Sequence, residues 1–135
     1  MGQKYLIDTC AVIKYLDEIF PPKALLFLDA LVDDDCKVSF ITKIELLSWN
    51  PPIPNDIKIR KEFIAGSEIH YIDDKIIEQA IQIRKEVKIK LPDAVIAATA
   101  IANDFILISD NDKDFNKVLS FGLHYLNPIT AFTKH

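Results

Sequence analysis

Short apolar runs alternate along this chain with longer stretches of helical period. Tyr5-Leu6-Ile7 is the first such run and reads as a strand ending at Asp8. Ala11 to Leu16 predicts a short helix closed by Pro21-Pro22. Lys23 to Asp34 predicts a second, with Ala24, Leu25, Leu28, Leu31 and Val32 on one face. Asp33-Asp34-Asp35 reads as a turn, Lys37 to Ile41 as strand two, and Thr42 to Trp49 as a helix closed by Pro51-Pro52. Asn55 to Ala65 predicts a helix stopped by Gly66 as a C′ residue, and Glu68 to Ile72 strand three. Asp73 caps a helix running to about Lys88. Pro92 opens the helix Asp93 to Asn103, apolar on nearly every side and therefore expected against the sheet. Phe105 to Ser109 is a short strand, Phe115 to Ser120 a helical turn, and His124 to Leu126 a last strand before a short helical tail. Strands alternating with helices predict right-handed crossovers and an α/β fold: a three-layer α/β/α sandwich on a parallel sheet of four to five strands.

Composition narrows this picture without redirecting it. The 135 residues, half of them apolar, suit one folded domain spanning 1–135. The longest apolar run, Ala94 to Ala102, is too short to cross a bilayer, so no membrane association is expected. The first residues lack the basic stretch and long apolar core of an export signal, and a cytoplasmic location is expected. Cys10 and Cys36 have no spaced Cys or His partners and read as reduced thiols. The net charge of −4 argues against nucleic acid at face value, yet four carboxylates engaged with a metal would cancel it. Basic residues also bunch, at Lys58-Ile59-Arg60-Lys61 and at Arg84, Lys85, Lys88 and Lys90.

The chemistry follows from topology. In a parallel sheet with crossover helices, strand ends and helix starts share one edge. Asp8 ends strand one, Glu45 lies in the first turn of the helix after strand two, Asp93 opens the helix leading to strand four, and Asp110 follows strand four. All four are thus expected at the carboxyl edge, where open α/β sheets bind ligands. Two carboxylates ~5 Å apart repel by about 3 kcal/mol at an effective dielectric of ~20. A hard cation, Mg²⁺ or Mn²⁺, relieves that repulsion with oxygen ligands. Each acid also has a local explanation: Thr42-x-x-Glu45 is a capping-box pattern, Asp93 favours a helix N-terminus, Asp110, Asn111 and Asp112 suit a turn, and Asp8 can cap a helix with Thr9. Three glycines leave no phosphate loop, and His70, His124 and His135 pair with no nucleophile elbow. His70, within an apolar strand, reads as structural, and Trp49 and Phe63 as core or partner-facing.

Ile7-Asp8-Thr9, Thr42-x-x-Glu45-Leu46, the block Leu91-x-Asp93-Ala94-x-Ile96-Ala97-Ala98-Thr99-Ala100, and Leu107-Ile108-Ser109 leading to Asp114-Phe115 together resemble PIN-domain nucleases, in particular VapC-type toxins of toxin–antitoxin pairs. The resemblance covers essentially the whole chain. It implies a PIN-like fold, a Mg²⁺- or Mn²⁺-dependent endoribonuclease acting on RNA, metal-binding roles for Asp8, Glu45 and Asp93, a homodimer, and a cognate antitoxin whose tail plugs the acidic groove. The family's fourth acid usually stands two residues after the hydroxyl at Ser109. That position is Asn111 here, between Asp110 and Asp112, so the fourth ligand stays open among the cluster. Cys10 also departs from the family, where Asn or Ser is commoner. On this reading Asp8 and Asp93 hold the metal, Glu45 or a carboxylate at 110 or 112 orients the attacking water, and Thr9, Ser109 and Asn111 hold the carboxylates. Arg84, Lys85, Lys88 and Lys90 contact phosphates. Two other readings compete: a catalytically silent PIN-like binding module, and a receiver-type signalling domain, which needs a phosphoacceptor aspartate at the end of strand three.

Overall fold

In the computed structural model, which describes residues 2–132, five three-residue strands are formed: β1 (Tyr5–Ile7), β2 (Lys37–Ser39), β3 (Glu68–His70), β4 (Ile106–Ile108) and β5 (His124–Leu126). β1, β4 and β5 form one parallel ladder in the order β1-β4-β5, and β2 pairs in parallel with β3. β2 lies alongside β1, which brings the two ladders together. His135 lies outside the described residues.

Period-two alternation makes the layers. Leu6 is in register with Leu107 and Ile7 with Ile108, yet the first pair joins one hydrophobic cluster and the second pair the other. The Leu6–Leu107 face is covered by α5 (Asp74–Glu86) and α6 (Leu91–Asn103), with Phe115 and Val118 from a short α-helical turn and the 3₁₀ segment Asn116–Phe121. The Ile7–Ile108 face is covered by α1 (Thr9–Leu16), α2 (Pro22–Asp35), α3 (Phe40–Leu47) and α4 (Pro54–Ala65). Asp112–Phe115 forms α7 and Pro128–Ala131 forms α8. α6 packs on α5 and β4, and every residue from Ala94 to Ala100 is buried, as its unbroken apolar surface predicts. Each fully buried aliphatic chain contributes about 1.5–3 kcal/mol, so the two clusters are the main source of stability. No helix among the described residues is long and apolar enough to cross a membrane.

Four local expectations need correction. Strand two ends at Ser39, because the Ser39 hydroxyl accepts from the Ile41 amide at 3.0 Å and caps α3 there. The cap outweighs the β-propensity of Phe40 and Ile41, Thr42 is no cap, and Glu45 moves into the second turn. Asp33 to Asp35 remain helical at the end of α2, and Asp35 then pairs with Lys37 at 2.7 Å. β3 stops at His70, leaving Tyr71 and Ile72 exposed. Gly66 closes α4 at φ −89°, so no left-handed conformation is used; Asp104 takes that conformation after α6 instead. Asp73 does cap α5, accepting from the Ile76 amide at 2.9 Å.

Candidate active site

Asp8 leaves β1 and enters α1 as the residue before its first turn, with its amide bonded to the Ile108 carbonyl at 2.9 Å. The strand ladder thereby fixes its position. Its side chain is only 3% exposed and offers no cap to α1. Oδ2 accepts from the Ser109 hydroxyl at 2.8 Å and from the Cys10 thiol at 2.9 Å. Burial holds the Asp8 carboxyl above its ordinary pKa, with the charge of Glu45 adding to the effect and the Cys10 and Ser109 hydrogen bonds opposing it. Ser109, fully buried after β4, also accepts from the Asn111 amide at 3.0 Å.

Asn111 continues this relay. It caps α7, and its side chain donates to Asp114 Oδ2 at 3.0 Å while accepting from the Asp114 amide at 3.3 Å. The Asn111 bond holds the Asp114 carboxyl below the usual range, helped by Lys117 and Lys113 and opposed by burial. Asp93, in the first turn of α6, feels Asp8, Asp114 and Glu45 together. Burial first, and those three charges next, push its carboxyl from 3.8 up to about 6, against a small opposing effect of Lys90. Glu45 reaches the same edge from α3, where Oε1 accepts from the Thr9 hydroxyl at 2.6 Å. Thr9 has a single hydroxyl proton, so the buried Thr42 hydroxyl donates back to Thr9 Oγ1 across 2.9 Å.

The structure therefore places Asp8, Glu45 and Asp93 within electrostatic reach of one another and adds Asp114. It gives the other predicted acids separate partners. Asp110 forms an ion pair with Lys14 and receives the Cys10 thiol at 3.2 Å. Burial raises its carboxyl, but Lys14 and Cys10 outweigh it and the net shift is downward. Asp112 Oδ1 accepts from the Tyr125 hydroxyl at 2.6 Å and from Asn127 Nδ2 at 3.1 Å. Thr9, Ser109 and Asn111 each touch a carboxylate of the group. Arg84, Lys88 and Lys90 flank the site beside Asp114, whereas Lys85 lines the apolar groove between α5 and α6. His70 stacks edge-on against Phe105 at 4.9 Å and pairs with Glu68, a structural role. Arg60 lies over Trp49 at 4.1 Å.

Sequence reasoning quoted Asp114 only within the family resemblance and gave neither it nor Lys14 a role in the site. A signal existed for both. Asn111-x-x-Asp114 has the spacing of a helix cap with an acid three residues on, and Lys14 stands one turn after Cys10 on the same face of α1. A receiver-type phosphoacceptor finds no support, since strand three ends on His70 and Asp73 is engaged as a cap.

Among the described residues, no three Asp, Glu, His or Cys side chains stand close enough together to hold a metal ion as they are placed. The donor set is nonetheless that of a hard cation. Asp8, Asp93 and Glu45 are all carboxylates that repel one another, and none forms an ion pair among the described residues.

The family model described as PIN domain matches residues 5–119, from β1 through most of the 3₁₀ segment. No curated protein matches significantly. Among solved structures, VapBC2 from Rickettsia felis, bound to a DNA fragment from its promoter, aligns at a TM-score of 0.78 and 22% identity, over 93% of this chain and 98% of that one. DNA-bound VapBC from Salmonella typhimurium aligns at 0.78 and 18% identity, over 94% and 99%. A toxin–antitoxin complex from Klebsiella pneumoniae aligns at 0.71 and 26% identity, over 93% and 98%. The family match covers the elements that carry Asp8, Glu45, Asp93 and Asp114, and by it this chain belongs to the PIN-domain family.

Proposed function

We propose that this protein is a Mg²⁺- or Mn²⁺-dependent endoribonuclease, the toxin of a toxin–antitoxin pair, working as a homodimer held in check by a cognate antitoxin. The PIN family is one of nucleases, and likeness to VapBC complexes supports the pairing with an antitoxin. The observation that carries the reading is the group of Asp8, Asp93 and Glu45, three carboxylates without an ion-pair partner among the described residues, where burial first and the neighbouring charges next raise the Asp93 carboxyl to about 6.

Asp8 and Asp93 would hold the ion, with Glu45 and Asp114 completing its surroundings. When bound, such an ion supplies positive charge to the phosphoryl oxygens and acidity to the attacking water. The protein's own groups do the rest. Ser109 and Cys10 fix the Asp8 carboxyl through Oδ2. Thr9 fixes Glu45 Oε1, leaving Oε2 to take the proton of the attacking water. Asn111 orients Asp114. Asp93 must lose its proton for the site to charge fully, so metal uptake should release a proton at pH values below about 6 and almost none well above it.

The test is incubation with total RNA in Mn²⁺ and in EDTA, with cut ends mapped, beside an Asp8→Asn variant. Metal-dependent cuts lost in Asp8→Asn support the reading. Metal-independent cuts, or full activity in Asp8→Asn, refute it.

A further inference from the structure

A second feature adjoins the carboxylates. The end of α5, the turn into α6, and α7 with the segment after it enclose a cleft of about 520 Å³. Arg84, Lys88, Lys90, Lys113 and Lys117 line it, with Ile89 as floor and Asp114 as the one acid. Arg84, Lys88, Lys90 and Lys113 are exposed and form no ion pair among the described residues. Lys117 alone is tied down, donating to the Lys88 carbonyl at 2.9 Å and lying 3.6 Å from Asp114. That bond joins the α5–α6 turn to the 3₁₀ segment and holds the two walls together.

Helix electrostatics does not account for these cations. A positive charge is favoured at a helix C-terminus, which explains Arg84 in the last turn of α5. Lys90, however, is the N-cap residue of α6, a helix end where a cation is disfavoured, and Lys113 sits in the single turn of α7, too short to favour a cation at one end over the other. In a chain of net charge −4, five cations gathered around one acid point to an anionic ligand.

We propose that this cleft binds the sugar–phosphate backbone of a single RNA strand, leading it past Asp114 to the carboxylates; the proposal rests on the endoribonuclease reading. No aromatic side chain lines the cleft. It therefore offers no platform for base stacking, and the contact supplies affinity without sequence preference. Lys85, in the neighbouring apolar groove, takes no part.

The test is binding of labelled 12-residue oligo-U and oligo-A to the full chain in EDTA, across a range of KCl concentrations. A Lys88→Gln/Lys113→Gln variant is compared with a control pair on α2 and α4, Lys23→Gln/Lys58→Gln. Each phosphate contact on a single strand contributes about 0.7 to the slope of log affinity against log salt. The cleft variant should lose about 1.4 of slope, weaken U and A by the same factor, and in Mn²⁺ show its loss in KM. The control pair should bind like the wild type. An unchanged slope, an equal loss in the control pair, or unequal losses for U and A overturn the proposal. So does displacement of the RNA by polyglutamate at equal charge concentration, which would place an acidic polypeptide there. The two readings separate cleanly. Wild-type binding with this slope but no cutting in Mn²⁺ sinks the nuclease and keeps the cleft, while cutting with unaltered binding in the cleft variant sinks the cleft alone.

Discussion

Replacing Asp93 by asparagine should make this protein more stable while removing its activity. The Asp93 carboxyl is held at about 6 in the folded chain against an ordinary 3.8. A group whose folded pKa is raised binds its proton more tightly in the folded state, so its stabilising share is present at low pH and disappears as pH rises through about 6. Above that, the folded state carries a charge it disfavours. A shift of this size corresponds to a ceiling of about 3 kcal/mol. Asp93 is only half-buried, and solvent screening cuts the penalty to about 1–2 kcal/mol. Asparagine keeps the shape and drops the charge, so Asp93→Asn should gain that amount at pH 7.5, raising Tm by about 3–8 °C.

The pH dependence is the sharper test. At pH 4 the wild-type carboxyl is already protonated in the fold, and the advantage of Asp93→Asn should shrink to a few tenths of a kcal/mol. Urea unfolding of both proteins at pH 4, 5, 6 and 7.5 in EDTA measures it. Added Mg²⁺ should then close the gap at pH 7.5 from the wild-type side, because an ion that binds the folded carboxylates stabilises only the protein that has them. An Asp93→Asn protein less stable than wild type at pH 7.5, or a gap that ignores pH, would refute the argument that burial and the neighbouring carboxylates make a charged Asp93 costly in the fold.

Cys10→Ala removes a donor from the buried Asp8 carboxylate and should cost about 1–3 kcal/mol in chemical denaturation, whereas Cys10→Ser, which keeps a donor, should cost less than half of that. Lys14→Gln leaves the nearly buried Asp110 without its cation; the half-exposed ammonium limits the cost to about 0.5–1 kcal/mol, larger at pH 7 than at pH 3, read from urea midpoints. Arg60→Met loses the guanidinium bond to the Leu46 carbonyl and the stack on Trp49, and should cost about 1–2 kcal/mol with nuclease activity unaffected.

Alternating strands and helices, the wholly apolar α6 and the carboxyl-edge placement of Asp8 and Asp93 were legible in the sequence because each rests on periodicity or on chain direction. The placement of Asp114 beside Asp93 was not, and the reason is local. Asp110, Asn111, Asp112 and Asp114 fall within five residues, where one step of backbone rotation decides which carboxylate faces the sheet edge. Composition says nothing about that step. It is set by Ser109, whose hydroxyl takes the Asn111 amide, and by Asn111, which then caps α7 and turns Asp114 inward. With the turn so fixed, Asp110 points back to Lys14 on α1, and Asp112 points to Tyr125 and Asn127 around β5. The same logic moved Glu45. Ser39 and Thr42 are both competent caps three residues apart, and a choice between them shifts the glutamate by most of a helical turn. The chain chose Ser39, which frees the buried Thr42 hydroxyl to bond Thr9 and so to steer Glu45 through it. At both places the uncertainty lay in which hydroxyl or amide side chain closes a turn, and the acid's position follows from that choice.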